Sequence, residues 1–472
     1  MSQSTSSQKI ATFFSLVKRS IKGEHTDLTK GSIRVSVILL AIPMMLEMAM
    51  ESVFALVDLY FVGHLEHSSF AIQAVGLTES VLTIIYSLAI GISMAATAVV
   101  SRRIGEKNPE AAAKAGIQAV VMAFVFCLVI SILGFIFATD ILLIMGASPA
   151  AAIYGTPFVR IMMASSLIIV CLFLFNGIFR GAGNASIAMK SLFVANLVNI
   201  VLCPLLVGFK GFESFGLIGA AIATTIGRSI GVLYQLYHLF NGKNVIVAQL
   251  DYFLPDWKQI KALLKISAPA VGQFVIASCS WIFLANLVAT TGGDVGSAGY
   301  QTSLRLMMFF MLPAWGLSGA AATLVGQNLG AKQVERAERS VLVTARFNAI
   351  YMGSVMLLSL FGAHWLAGIF SNDPAVREVG TQAVRIMACG YIFYGIGMVM
   401  INAFNGSGDT KTPTWINVFG FWFLQIPLAY VLSIVLEMGP TGVFIAIPVS
   451  ETAITIAGVI LFRRGRWKTI QV

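Results

Sequence analysis

Long apolar runs separated by short polar interruptions dominate the chain. In order, they predict membrane spans near 31–63, 70–100, 116–138, 155–179, 188–208 and 216–239. Six more follow near 266–290, 298–325, 341–369, 382–404, 414–436 and 441–462. Each reaches the ~20 residues that an α-helix needs to cross a hydrocarbon core of roughly 30 Å. They are too long for the strands of a membrane barrel, which take about 10 residues. The expected fold class is therefore an all-α polytopic membrane protein with twelve transmembrane helices. The longest polar interruption, 241–265, contains Leu254-Pro255-Asp256-Trp257, whose Pro and Trp suit the start of an interfacial helix. The stretch from Ile10 to Ile21 is too short for a signal peptide and is broken by Lys18 and Arg19. It reads as a short amphipathic helix on the inner surface or as a disordered basic tail.

The two sets of six spans are copies. Gly91-Ile92-Ser93 aligns with Gly316-Leu317-Ser318, and Gly105 and Lys107 align with Gly330 and Lys332, at an offset of 316 − 91 = 225. Arg160-Ile161-Met162 matches Arg385-Ile386-Met387, and Gly181 and Gly183 match Gly406 and Gly408, at the same offset. Six spans is an even number, so the copies run parallel, related by an axis along the membrane normal. The division expected is a tail at 1–30, an amino-terminal six-helix bundle at 31–240 and a cytoplasmic linker at 241–264. A carboxy-terminal six-helix bundle at 265–462 and a basic tail at 463–472 complete it.

Composition sharpens the class. Of 472 residues, 57% are hydrophobic and 11% charged. Soluble proteins carry about 25% charged residues, so no soluble domain is hidden here. The net charge of +10 could point to nucleic acid, but the basic residues sit between spans, as cytoplasmic loops require. Arg102, Arg103, Lys332, Arg336 and the tail from Arg463 mark alternate loops and place both termini in the cytoplasm. The five cysteines lie within apolar runs, which argues against a disulfide framework or a thiolate metal site. No HExxH spacing, nucleophile elbow or strand-linked phosphate loop is present, so an enzyme is not expected.

The chemistry concentrates in the first span, which holds Glu47, Glu51 and Asp58. At about 100° per residue, Glu51 lies about 40° and Asp58 about 20° round from Glu47. The three acids thus share a stripe, and no basic residue near them in that helix answers them. A carboxylate facing lipid costs several kcal/mol, so the stripe faces a partner or a watery cavity and points to cation or proton handling. The alternative is a set of paired acids that only holds helices together. Met44, Met45, Met48 and Met50 flank the stripe; they read as apolar packing or as a pliable lining for varied substrates. Pro43 opens or bends this helix and is a hinge candidate. Asp409, in a Gly-rich turn, reads as a helix cap.

Three motifs carry a resemblance: Pro43 with Val57-Asp58 and Gly63, the run Gly326-Gln327-Asn328-Leu329-Gly330-Ala331, and Asn405-Gly406-Ser407-Gly408-Asp409-Thr410-Lys411-Thr412-Pro413. With the duplication, they resemble the multidrug and toxic compound extrusion (MATE) family from Lys30 onward. The resemblance implies a V-shaped transporter of two pseudo-symmetric bundles that exports amphipathic, often cationic compounds in exchange for Na⁺ or H⁺. It implies a cation site at Asp58, Asn199 and Thr224, with Thr225 as a neighbour. The family's span-five aspartate is replaced by Cys203. A hard cation wants a cage of oxygens, whereas a proton needs one suitable group, so the loss favours H⁺ and leaves Na⁺ open. Glu47 and Glu51 would act on that site as neighbouring acids. Gln273 stands at the repeat position of Glu47, 273 − 47 = 226. Gln273, Tyr300 and Glu79 are the candidates for the substrate cavity. Beyond the coupling ion, no cofactor is expected. The expected partners are small amphipathic or cationic molecules and membrane lipids, with the protein a monomer in the cell (inner) membrane. The alternative function is a flippase for a lipid-linked headgroup, or export of another amphipathic metabolite.

Overall fold

The structure is a computed structural model that describes residues 14–24, 26–62, 68–208, 215–371 and 373–472; within its helices, the side chains of 55–60, 62 and 68–72 lie outside the description. Among these residues all regular structure is helical. Helix α1 covers 14–22. Then come α2 (Ile33–Val62), α3 (Ser68–Gly105), α4 (Pro109–Ile136), α5 (Ala138–Ile144), α6 (Pro149–Ala164), α7 (Ser166–Gly181), α8 (Ala185–Val207) and α9 (Leu217–Phe240). The second copy holds α10 (Trp257–Gly330), α11 (Val334–Phe370), α12 (Pro374–Ala388), α13 (Tyr391–Ser407), α14 (Lys411–Val435) and α15 (Pro440–Arg463). Nine of the described helices are long and apolar enough to cross a membrane, or up to eleven with two bent pairs counted as spans.

Three differences from the sequence reading have physical causes. Span four is a broken pair, α6 and α7, bent by 40°, and span ten is the pair α12 and α13, bent by 55°. The breaks fall at Ser165 and at Cys389–Gly390, the same place in the repeat (390 − 165 = 225). Spans seven and eight join in the 74-residue α10, interrupted at Gly293 (φ 59°, ψ −154°), a conformation open to glycine alone. The expected interfacial helix at Trp257 is the start of α10 and runs directly into the span.

Local chemistry sets the other ends. Asn108, Ser148 and Asp373 each accept a backbone N–H of the helix that follows, and proline occupies its first position. The turns before α4 and α11 both place a lysine at positive φ, Lys107 (62°) and Lys332 (59°), so the duplication preserves even a left-handed backbone.

The chain divides into two compact units that do not coincide with its halves. Among the described residues, one contains 14–21, 26–45 and those from 272 to 472; the other contains 22–24 and those from 46 to 271. Each unit has borrowed the start of the other half's first span. In the first unit a Cβ on Gly316 would collide with the backbone of Met44 and Met45. In the second, a Cβ on the equivalent Gly91 would lie 2.6 Å from Val271 N. The duplicated glycine is therefore the notch where the exchanged helix crosses. Polar latches hold the lead-in segments on these same units. Arg336 donates to the carbonyls of Leu28, Lys30 and Gly31 at 2.9–3.2 Å. Buried Gln118 donates to Tyr252 O and Leu254 O, both at 2.7 Å, and accepts Asp256 N at 2.9 Å.

Candidate functional site

Two acids of the stripe, Glu47 and Glu51, meet side chains from other helices of their own unit. Glu47 is fully buried, and its Oε1 accepts from Asn176 Nδ2 at 2.9 Å, with Arg180 Nη1 at 4.0 Å. Asn176 Oδ1 in turn takes Gln235 Nε2, and Ser191 Oγ closes the cluster at 2.9 Å from Gln235. One turn further along α2, Glu51 Oε1 meets Arg228 Nη2 at 3.3 Å. The Arg228 guanidinium also lies over the rings of Phe54 and Tyr86, 5.6 and 5.7 Å from their centroids. Desolvated ions persist in hydrocarbon only with such partners. One oxygen of each acid is thus engaged, while Glu47 Oε2 and Glu51 Oε2 are buried with no hydrogen-bond partner among the described residues.

Part of the carried-over residue set lies within the described residues. Asn199 and Thr224 are buried and joined at 3.0 Å, Asn199 Nδ2 donating, while Asn199 Oδ1 has no partner among the described residues. Cys203 is fully buried one turn along α8. Thr225 turns its hydroxyl back to Ala221 O at 2.8 Å. Asp58 belongs to α2, but its side chain is outside the described residues.

The cavity candidates separate. Tyr300 is a core residue, fully buried and stacked on Phe444 with centroids 6.0 Å apart. Gln273 exchanges amide bonds with Asn405 at 3.1 and 3.3 Å and donates to Thr410 O at 3.1 Å, so its polar atoms are spent on holding helices. Glu79 is exposed on α3. Pro43 is buried, and α2 stays helical through it. Asp409 accepts Thr412 N at 3.2 Å and its hydroxyl at 2.7 Å, the contacts of a cap.

Arg180 and Arg228 were missed in the sequence because they lie far from the stripe along the chain. The repeat held a signal for one of them. Asn405, the partner of Gln273, is the counterpart of Arg180 (405 − 180 = 225). The buried acid–arginine contact of one copy is thus a neutral amide pair in the other.

Among the described residues, no group of three His, Cys, Asp or Glu is placed to hold a metal ion.

Comparison with known proteins agrees with this duplicated frame. The MatE family model matches residues 43–205 and again 269–431, two copies 269 − 43 = 226 apart. The chain is 24% identical over 450 residues to a probable multidrug resistance protein, YoeA, of Bacillus subtilis (strain 168), covering 94% of this chain and 96% of that one. It is 25% identical over 439 residues to the probable multidrug resistance protein NorM of Thermotoga maritima, covering 92% and 93%. Among solved structures, a MATE protein in the straight conformation superposes with a TM-score of 0.87 at 26% identity, covering 93% of this chain and 97% of that one. A MOP superfamily transporter from Pyrococcus furiosus gives 0.88 at 25% identity, covering 95% and 100%. The family model spans well over half of the chain, and the similarity runs nearly end to end. The chain belongs to the MATE family of multidrug efflux transporters.

Proposed function

We propose that the protein is a secondary antiporter that exports amphipathic, cationic compounds in exchange for H⁺, with Asp58 as the coupling carboxylate. Chains of this family are transporters and not enzymes. The observation that carries the reading is the buried Asn199–Thr224 pair, whose amide oxygen has no partner among the described residues. With Cys203 in place of a second acid, Asp58 is the one member of that set able to gain and lose a charge. Glu47 and Glu51 each have one oxygen engaged, by Arg180 and Arg228, and without a second acid beside Asp58 the cage that Na⁺ needs is weaker. That supports H⁺. The two arginines are matched by the two acids, so no net positive face favours an anionic lipid headgroup, and the flippase reading gains nothing from them.

In this reading there are twelve spans in two bundles. Nine long helices, two bent pairs and the division of α10 at Gly293 make up that number. Both termini are cytoplasmic, and the protein works as a monomer in the cell membrane. Reconstituted vesicles given separate H⁺ and Na⁺ gradients test the proposal. Export of a cationic dye driven by H⁺ alone, and abolished by Asp58→Asn in folded protein, is the expected result. Export driven by Na⁺ alone, or a fully active Asp58→Asn variant, overturns it.

A further inference from the structure

Two arginines near the end of the chain differ from Arg180 and Arg228 in having no acid to meet. Arg464 and Arg466 are exposed, and neither guanidinium has a hydrogen-bond or ion-pair partner among the described residues. The backbone that carries them is nonetheless anchored. Gly465, at φ 74°, turns the chain after α15, and Trp467 is fully buried. Its indole stacks on Phe462 with centroids 4.8 Å apart and donates to Phe462 O at 2.9 Å. Lys468 then pairs with Glu338 at 2.7 Å. The anchored turn sets both arginines at the mouth of a groove between α14 and α15.

The groove has a volume of about 570 Å³ and is lined by Trp415, Phe419 and Phe423 of α14 and by Ile454, Ala457 and Leu461 of α15. The three aromatics form a ladder, with successive ring centroids 6.0 and 5.4 Å apart, and all three are exposed. Helix winding shapes this wall. From Val418 to Gln425, α14 is a π-helix, in which Ile426 N–H reaches back five residues to Phe421 O. Such winding is rare and collects at functional sites. Phe419, Gly420, Phe423 and Leu424 all line the groove from this stretch. A Cβ on Gly420 would strike Ile454, so the two helices touch there. Charge lies at one end. Asp409 is the one acid among the described residues of the lining, and its oxygens already accept Thr412 N and the Thr412 hydroxyl. With the two arginines, the mouth is net positive. From Thr412 to Leu424 the groove follows 424 − 412 = 12 residues of α14, at most about 18 Å of helix. One leaflet of hydrocarbon is roughly 15 Å deep. A basic mouth on an apolar trough of that length is complementary to a long-chain anionic amphiphile, and the same arginines repel the cationic compounds proposed as cargo.

We propose that this groove holds an anionic glycerophospholipid as a resident and not as cargo, its phosphate at Arg464 and Arg466 and one acyl chain along the aromatic ladder. With the termini placed as proposed above, the lipid belongs to the inner leaflet. The site does not depend on Asp58 or on the driving ion. Trp415 is its reporter. Full-length protein in detergent is titrated with phosphatidylglycerol or phosphatidylcholine carrying brominated chains, and the quenching that disappears in Trp415→Phe is the signal of the groove. Phosphatidylglycerol should reach half-quenching at a concentration about fivefold or more below phosphatidylcholine. Arg464→Gln with Arg466→Gln should raise the phosphatidylglycerol midpoint to that of phosphatidylcholine. The phosphatidylcholine midpoint should not move, which also shows that the variant is folded. Arg463→Gln with Lys411→Gln removes the same charge outside the lining and should keep the preference. Equal midpoints for the two lipids in wild type, or an equal loss of preference in both double variants, would overturn the proposal. Displacement of the brominated lipid by tetraphenylphosphonium, but not by unbrominated phosphatidylglycerol, would give the groove to a cationic compound and overturn it as well.

Discussion

At the scale of single residues, the two copies offer alternative solutions to one packing problem. Glu47 and Arg180 in one copy stand where Gln273 and Asn405 stand in the other. Glu47→Gln alone leaves the Arg180 charge without its acid. That should cost about 1–3 kcal/mol, below the 3–5 of a fully buried pair because Arg180 keeps some exposure. The double variant Glu47→Gln, Arg180→Asn copies the neutral pair and should recover most of the loss, as thermal unfolding in detergent would show. Asn176→Leu should cost about 1–3 kcal/mol by the same measure, since it strands the polar groups of Glu47 and Gln235. The acids of the stripe were legible from their spacing in α2. Their partners were not, because helical periodicity speaks of one helix at a time and Arg228 is remote in sequence. Tyr300, a cavity candidate in the sequence, stacks on Phe444, a contact that no pattern along the chain announces.

At the scale of elements, charge and polarity place the loops, and backbone detail shapes the spans. The apolar runs and the repeat offset were plain in the sequence. The broken spans were not, because the helices bend at Ser165 and Gly390 without any break in hydrophobicity. The latch on the linker is an element-scale device that rests on one side chain, Gln118. Gln118→Ala should free the segment around 250–256 and speed tryptic cleavage at Lys243 and Lys258. Unchanged cleavage would show that the remaining contacts suffice. The neighbouring Lys114 holds the carboxyl of Asp256 below its usual range by a hydrogen bond at 3.1 Å, with backbone N–H groups assisting. A lowered value means that the contact stabilises above the ordinary carboxylate range. It is lost as pH falls through the lowered value. The fluorescence of the adjoining Trp257 should therefore not change between pH 5 and 8 and should shift only in stronger acid. Asp256→Asn should remove that acid dependence.

At the scale of the molecule, the duplication and the alternation of basic loops were readable, and the exchange of first-span segments was not. Contact between Gly316 and Met44, or Gly91 and Val271, joins distant parts of the chain through glycines that look like any others in a membrane helix. Gly316→Val should overfill the notch and cost roughly 1–3 kcal/mol or more. The same change at Gly319, where a Cβ meets only the flexible Met44 sulfur at 3.5 Å, should cost less. Thermal unfolding of the two variants compares them directly.

The exchange has a consequence for how the protein is made. Residues 26–45 emerge from the ribosome well before the notch at Gly316 exists; at about 5–20 residues per second the wait is on the order of 10–60 s. During that interval the first helix sits in the bilayer without its packing surface, and the amino-terminal half lacks the segment up to Val271 that completes it. Neither half is a finished folding unit, so assembly is a late event that waits for the second copy. Fragments cut inside 241–249 and produced together should recover one transporter, whereas either fragment alone should be degraded. A duplicated gene whose products trade their leading helices in this way can no longer be divided back into two independent proteins.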